Sequence, residues 1–285
     1  MSQPVQSIED KPSVIGGVSI DTSSDAARRF GGTARLWGTA GLTQLQQAHV
    51  VVVGIGGVGS WAAECLARSG VGQLTLIDLD VVALSNVNRQ IHAQDTTLGA
   101  NKVDVMAQRI ASYAPQCVVN TVDDWITPEN VAALVPASAQ VVIDCIDQVA
   151  AKTALTVLCG QRKQSLIVCG AAGGKTDLNL LQVADLAHVT HDPLLASLRA
   201  RLRKQHGFTA APTKQGAKTK AMGVACVFVA QAVAKPVTDA REVSASSLQG
   251  LSCAGYGSVM HMTASMGIRA AAQALCLIQS LLQSK

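Results

Sequence analysis

The chain has 285 residues, 48% of them hydrophobic and 15% charged, with a net charge of +4. That is enough apolar surface for a large α/β core, and it excludes a disordered or fibrous chain. Aromatic residues make up only 3%, which argues against the single-strand nucleic-acid folds that stack bases on aromatic platforms.

Residues 1–24, rich in Ser, Pro, Gly and Asp, read as a disordered leader. They open on MSQPVQSIEDKPS, which has neither a basic start nor an apolar stretch, so a cytoplasmic protein is expected. A short helix is predicted at LTQLQQA. From there strands and helices alternate. VVVVG is a strand, SWAAECLARSG a helix and LTLIDLD a strand. ANKVDVMAQRIASYA (100–114) is a helix, CVVNTV a strand and PENVAALV a short helix. QVVIDCID is a strand, AAKTALTVLCGQRK a helix, and SLIVCGAAGG a strand that runs into glycines. Apolar runs alternating with helical periods predict a Rossmann-like α/β fold, its mostly parallel sheet covered by helices on both faces.

The division expected is a nucleotide-binding core over 25–175 and a C-terminal continuation over 176–285. In the continuation LNLLQVADL reads as a further strand and DPLLASLRARLRKQHG as an amphipathic helix with a basic face. GFTAAPTKQGAKTK reads as a flexible basic loop, and residues 256–283 as a long apolar helix. That last helix is long enough to raise a membrane span. It carries His261, Arg269 and several small residues, which suit packing against a soluble core. Membrane association is therefore not expected.

Charge is concentrated in one place. Residues 193–222 hold Arg199, Arg201, Arg203, Lys204, Lys214, Lys218 and Lys220 without one acid, more than the whole net charge. Such a segment is either a solvated loop or a seat for a polyanion such as RNA, with Arg199, Arg201, Arg203 and Lys204 as its helical part. The eight cysteines include no C-x-x-C pair, so zinc-site spacing is missing and a reduced compartment is implied.

The most informative stretch is GIGGVGS (54–60), between the first strand and the first core helix. Gly54, Gly56 and Gly59 meet the G-x-G-x-x-G pattern, and Asp78 ends the second strand, where an acid bonds a ribose hydroxyl. The turn serves NAD, FAD, S-adenosylmethionine and ATP alike. The residues beyond the second strand choose among them. LIDLDVVALSNVNRQIHA and TTLGANKVDV bring Asp78, Asp80, Asn86, Asn88, Arg89 and Lys102 close together in sequence. A nicotinamide ring has little use for an Arg and a Lys. Attack on the α-phosphate of ATP needs them, because fixed cations stabilise charge on the phosphoryl oxygens and the departing pyrophosphate. Mg2+ needs one or two carboxylates, and Asp147 emerges on the same sheet edge as the glycine turn. Asp144, inside its strand, reads as structural. His92 reads either as a base or as a structural histidine.

GIGGVGSWAAECLARSG, the LIDLD–SNVNRQ segment, Lys102 and CIDQ together resemble the ATP-dependent adenylating superfamily of ubiquitin-activating enzymes and sulfur-carrier adenylyltransferases. RRFGGTARLWG (28–38), NRQIHA, VDDWITPENVA, DPLLASLRARLRKQHGF and CAGYGSVM bring it nearest to that superfamily's bacterial dehydratases of threonylcarbamoyladenosine-modified tRNA. The resemblance implies that Gly54, Gly56, Gly57 and Gly59 form the ATP turn and Asp78 binds its ribose. It implies that Asn88, Arg89 and Lys102 contact phosphate, that Asp147 holds Mg2+, and that Asp80 is a further nucleotide-site candidate. It also implies a homodimer in which Arg28, Arg29 or Arg35 acts across the interface. Cys253 matches a family cysteine that would accept sulfur or an acyl group; its other reading is a buried structural thiol. The function expected is dehydration and cyclisation of the modified adenosine through adenylation of its threonyl carboxylate. The alternatives are adenylation of a sulfur-carrier protein's C-terminal glycine, an ATP-dependent scaffold for a cysteine desulfurase, and a nicotinamide dehydrogenase.

Overall fold

The computed structural model describes residues 22–209, 219–234 and 256–283. The first helix, α1 (Thr22–Gln47), is far longer than LTQLQQA suggests; Gly38, with φ 75°, kinks it. It therefore takes in the last residues assigned to the leader. The remaining helices are α2 (Gly59–Ser69), α3 (Lys102–Tyr113), the single-turn α4 (Val131–Leu134), α5 (Val149–Arg162), α6 (Pro193–Gln205) and α7 (Met260–Gln283). None of the described helices is long and apolar enough to cross a membrane.

The strands are β1 (His49–Val53), β2 (Gln73–Ile77), β3 (Val118–Val122), β4 (Val141–Asp144), β5 (Ser165–Cys169), β6 (Leu181–Asp185) and β7 (Ala225–Val229). They form one seven-stranded sheet in the order β3-β2-β1-β4-β5-β7-β6, parallel except for β6, which pairs antiparallel with β7. Strand β7 is absent from the sequence reading, although ACVFV is as apolar as the strands that were recognised. The sheet continues across residue 175, because β7 pairs with β5.

Burial follows the pleat. Val50 and Val52 of β1 enter one core with α2, α3 and α7, while Val51 and Val53 enter the other with α4 and α5. All four are 0–2% exposed, each worth about 1.5–3 kcal/mol. A strand buried on both faces has no polar face to show, hence the unbroken run of valines. Helix α7 lies along α2 at backbone contact. A Cβ on Gly267 would stand 2.3 Å from the Val58 carbonyl oxygen and 2.9 Å from the Ala62 nitrogen, so only glycine fits there.

A second feature of α2 is Glu64, 5% exposed, which accepts from Arg68 Nε (2.7 Å), Arg109 Nε (2.9 Å) and the Tyr113 hydroxyl (2.8 Å). Burial opposes its charge, but Arg109, Arg68 and Tyr113 outweigh that and hold the carboxyl below its usual value of 4.5. Its stabilisation is therefore complete above that value and is lost as pH falls through the depressed one. Glu64→Gln is expected to cost about 3 kcal/mol at neutral pH. Melting curves of the two proteins should converge on acidification below 4.5.

Candidate functional site

The chain leaves β1 for β2 and β3 on one side, then returns to β4 on the other. The strand order therefore reverses between β1 and β4, where open α/β sheets form a crevice at the carboxyl ends of the strands. The register pairs Val53 with Asp144, so the glycine turn after β1 and the loop carrying Asp147 leave the sheet side by side. A cavity of about 270 Å³ opens there. Gly54, Gly56 and Gly57 form part of its wall. Gly59 does not: a Cβ on it would lie 1.8 Å from the Gly54 carbonyl oxygen, so its glycine lets α2 start hard against the turn.

Asp78, on the wall, accepts from the Ile55 N–H at 2.6 Å and the Asp80 N–H at 2.8 Å. Burial pushes its carboxyl up, while Lys102 and those two N–H groups pull it down. It clamps the glycine turn, and a carboxylate's remaining lone pairs suit a ribose hydroxyl. Lys102 is 94% buried along its side chain and points its ammonium at Asp80, 2.6 Å away. Asp80 thus holds the cation that a phosphate would compete for.

Arg89 lines the cavity with no carboxylate partner among the described residues. Its guanidinium donates to the Ser85 carbonyl (2.6 Å) and Asn88 Oδ1 (2.9 Å). Its own carbonyl accepts from the Trp61 indole (3.0 Å) and the Thr263 hydroxyl (3.3 Å), so α2 and α7 both anchor it. Asn88, expected at phosphate, stands off the wall and donates to the Ser258 carbonyl at 2.8 Å, ahead of α7. A helical turn from Asn86 to Gln90 turns it outward and puts Asn86 and Gln90 on the wall instead. Gln90 went unnoticed in the sequence. It is 5% exposed, and its Oε1 has no partner among the described residues. The signal was its place one turn beyond Asn86, on the same face.

Beyond β3, Trp125 and Ile126 add an apolar side to the cavity. Asp147 stands three residues beyond the end of β4, exposed and on the wall. No described group of three or more His, Cys, Asp or Glu side chains could hold a metal ion. Below the floor, Asp144 and Lys152 form an ion pair at 3.0 Å with both side chains 0% exposed. Lys152 also donates to the Cys169 carbonyl at 2.8 Å, joining β4 to β5. Asp144 is structural, as its place in the strand implied.

His92 is 1% exposed and off the cavity wall, with neither ring nitrogen partnered among the described residues. Burial, then Lys102 and Arg109, lower its pKa to about 4, so it is neutral at pH 7. Cys253 lies outside the described residues. Of the N-terminal arginines, Arg29 donates to the Tyr113 carbonyl of its own chain at 3.0 Å, while Arg28 and Arg35 are exposed.

The basic helix α6 divides into two sets. Arg199 donates to the Leu186 and Val189 carbonyls (2.9 and 2.8 Å), and Arg203 to the Thr209 carbonyl (2.9 Å). Both are half-buried and brace adjoining loops, whereas Arg201 and Lys204 are exposed.

Several relatives resemble this chain over most of its length. The tRNA threonylcarbamoyladenosine dehydratase of Escherichia coli (strain K12) is 46% identical over 258 residues, covering 88% of this chain and 94% of that protein. The Haemophilus influenzae protein of the same name is 40% identical over 260 residues, covering 90% and 95%. The crystal structure of the E. coli tRNA N6-threonylcarbamoyladenosine dehydratase in complex with ATP superimposes with a TM-score of 0.80 at 41% identity, covering 94% of this chain and all of that one. The ThiF family matches residues 31–285, a span that takes in the sheet, the glycine turn, the Arg89 and Lys102 wall and α7, and the chain belongs to that family.

Proposed function

We propose that this protein is an ATP-dependent dehydratase that cyclises threonylcarbamoyladenosine in tRNA. The observation that carries the reading is Arg89, a cation without a carboxylate partner among the described residues, on the same cavity wall as the glycine turn and Lys102. The likeness of more than four-fifths of the chain to dehydratases supports the substrate.

In this reading ATP lies with its phosphates over Gly54, Gly56 and Gly57, its ribose at Asp78 and its base beside Trp125 and Ile126. The threonyl carboxylate of the modified adenosine attacks the α-phosphorus. The bond to the pyrophosphate oxygen breaks, and Arg89 and Lys102 stabilise charge on the phosphoryl oxygens. Lys102 meets this charge by leaving Asp80, while Gln90 offers its amide from the wall. The carbamoyl group then closes onto the activated carbonyl and expels AMP, so the net change is loss of water from the modified base. Ring closure is intramolecular, and positioning supplies much of its rate. The other task, adenylating a protein's C-terminal glycine, gives no use to the exposed cations of α6.

Asp147 fits Mg2+ in one way only. A single carboxylate is too few for a protein-built site, but Mg2+ bound by one carboxylate together with ATP phosphates is the usual arrangement. There the ion would neutralise phosphate charge. We also place the protein in the cytoplasm as a homodimer. Arg28 or Arg35 is free to reach a second subunit, since Arg29 is engaged within its own chain. Cys253 is a candidate acceptor of sulfur or of an acyl group, and a cysteine desulfurase partner would bind the C-terminal region; a Cys253→Ser protein that cyclises tRNA normally would remove any catalytic role for its thiol.

The test is AMP release from ATP with modified tRNA, with the same tRNA lacking the threonylcarbamoyl group, and without RNA. AMP only in the first supports the dehydratase; AMP only with a small protein ending in glycine supports the sulfur-carrier reading. In the tRNA interface, the double variant Arg201→Ala, Lys204→Ala is expected to weaken binding and flatten the log–log salt slope by about 1.5, with ATP binding unchanged. An unchanged slope would remove α6 from the RNA interface.

A further inference from the structure

We propose that Asp192 is a positioning residue that joins the RNA-facing helix α6 to the wall of the nucleotide cavity, so that occupancy of one is felt at the other. This rests on the reading of α6 and the cavity given under Proposed function.

Asp192 is the N-cap of α6 and 3% exposed. Its Oδ1 accepts from the Leu195 N–H at 2.9 Å, the ordinary capping bond. Serine or asparagine makes that bond equally well, so capping alone does not call for an acid. The second oxygen does something else. Oδ2 accepts from the Ala171 N–H at 2.9 Å, and Ala171 belongs to the cavity wall where the chain leaves β5. The neighbouring Gly170 makes room for this reach: a Cβ there would lie 2.1 Å from Oδ2. One carboxylate therefore holds the first turn of α6 and the end of a central strand together.

The approach to the cap is fixed just as firmly. His191 takes the left-handed conformation, φ 57°, which a side-chain-bearing residue adopts only when its surroundings hold it there. Its carbonyl accepts from Lys175 Nζ at 2.7 Å. That ammonium, on a residue 1% exposed, also donates to the Val229 and Gln231 carbonyls at the end of β7. Leu194, two residues into α6, is itself on the cavity wall. The exposed Arg201 and Lys204 lie on the same rigid helix. A polyanion that draws on α6 thus moves Leu194 directly and Ala171 through Asp192.

The test uses the full chain and two variants that retain a cap. Asp192→Asn keeps an oxygen for Leu195 but turns an NH2 group toward the Ala171 N–H, and Asp192→Ser keeps a capping hydroxyl too short to reach it. The first readout is equilibrium binding of an ATP analogue that cannot be cleaved between the α- and β-phosphates, with and without tRNA. In the unmodified protein, tRNA is expected to change the analogue's affinity by about 5-fold or more, and in both variants the factor should approach 1. Analogue affinity without RNA should stay within about 2-fold, since the coupling acts only when RNA is bound. The second readout is steady-state AMP release: kcat should fall by about 10- to 100-fold, while KM for ATP and for tRNA shifts by no more than the lost coupling factor of about 5. No coupling in the unmodified protein, or full coupling in both variants, overturns the proposal. So does a loss of ATP affinity that follows the melting temperature, since Asp192 would then be merely structural. Absence of AMP release by the unmodified protein, with coupling intact, would instead count against the function and leave the link standing.

Discussion

Replacing Arg89 with alanine is expected to lower the rate of AMP formation by about 10²- to 10³-fold, while ATP affinity falls far less. The asymmetry arises from where charge develops. In the proposed site the glycine turn meets the ground-state charge of the triphosphate, whereas charge on the departing pyrophosphate arises only in the transition state. Arg89 can respond because, among the described residues, no carboxylate competes for it, unlike Lys102 with Asp80. Its backbone is held by Trp61 and Thr263 through the carbonyl, and those bonds survive loss of the side chain. The melting temperature of Arg89→Ala should therefore stay near that of the unmodified protein. Rapid-quench measurement of AMP together with calorimetric ATP binding separates the two quantities. A parallel fall in affinity and rate would make Arg89 a binding residue and move the catalytic charge to Lys102.

Lys152→Met should lower stability by about 3–5 kcal/mol. It leaves Asp144 charged at 0% exposure, with Oδ1 still accepting from the Ile146 N–H and Oδ2 without any partner among the described residues. Burial already pushes the Asp144 carboxyl above its usual 3.8, and Lys152 is the chief influence opposing this. Without the lysine, the folded-state value rises further above the unfolded one. A group raised in this way destabilises the fold above the unfolded value and ceases to do so when it is protonated in both states. The deficit of Lys152→Met should thus be largest at neutral pH and shrink on acidification, as that of Glu64→Gln does, but here because the variant gains stability rather than because the unmodified protein loses it. Denaturant titrations across pH test the sign. Lys152→Met combined with Asp144→Asn should recover much of the loss, since no buried charge is then uncompensated.

These two residues mark the boundary of what could be read from the chain. Asp144 was legible as structural because an acid inside an apolar strand run must be buried, but its partner eight residues on had no signature. A lysine in a helix reads as solvated until the helix is placed over the sheet. The glycine turn and Asp78 could be placed because their spacing matches a strand-turn-helix unit whose geometry is local, and Arg89 and Lys102 because two cations beyond the second strand suit phosphate; apart from Gly59, the turn's glycines and these three residues line the cavity. Asn88 stands off the wall for a local reason of another kind: a helical turn that periodicity in so short a segment does not reveal puts Asn86 and Gln90 there. Strand β7 was missed because its pairing partners, β5 and β6, lie more than 35 residues earlier in the chain.

Sequence alone was sufficient for the α/β class, the nucleotide turn and the sign of the charge around the phosphates. Each depends on residues a few positions apart, whose preferences act before the chain is compact. The tertiary structure decided which charges are available. It set Arg199 and Arg203 on backbone carbonyls, left Arg201 and Lys204 to solvent, and brought α7 to the Arg89 carbonyl from 174 residues away. Availability depends on desolvation and on partners distant in the chain, and those exist only once the helices have packed.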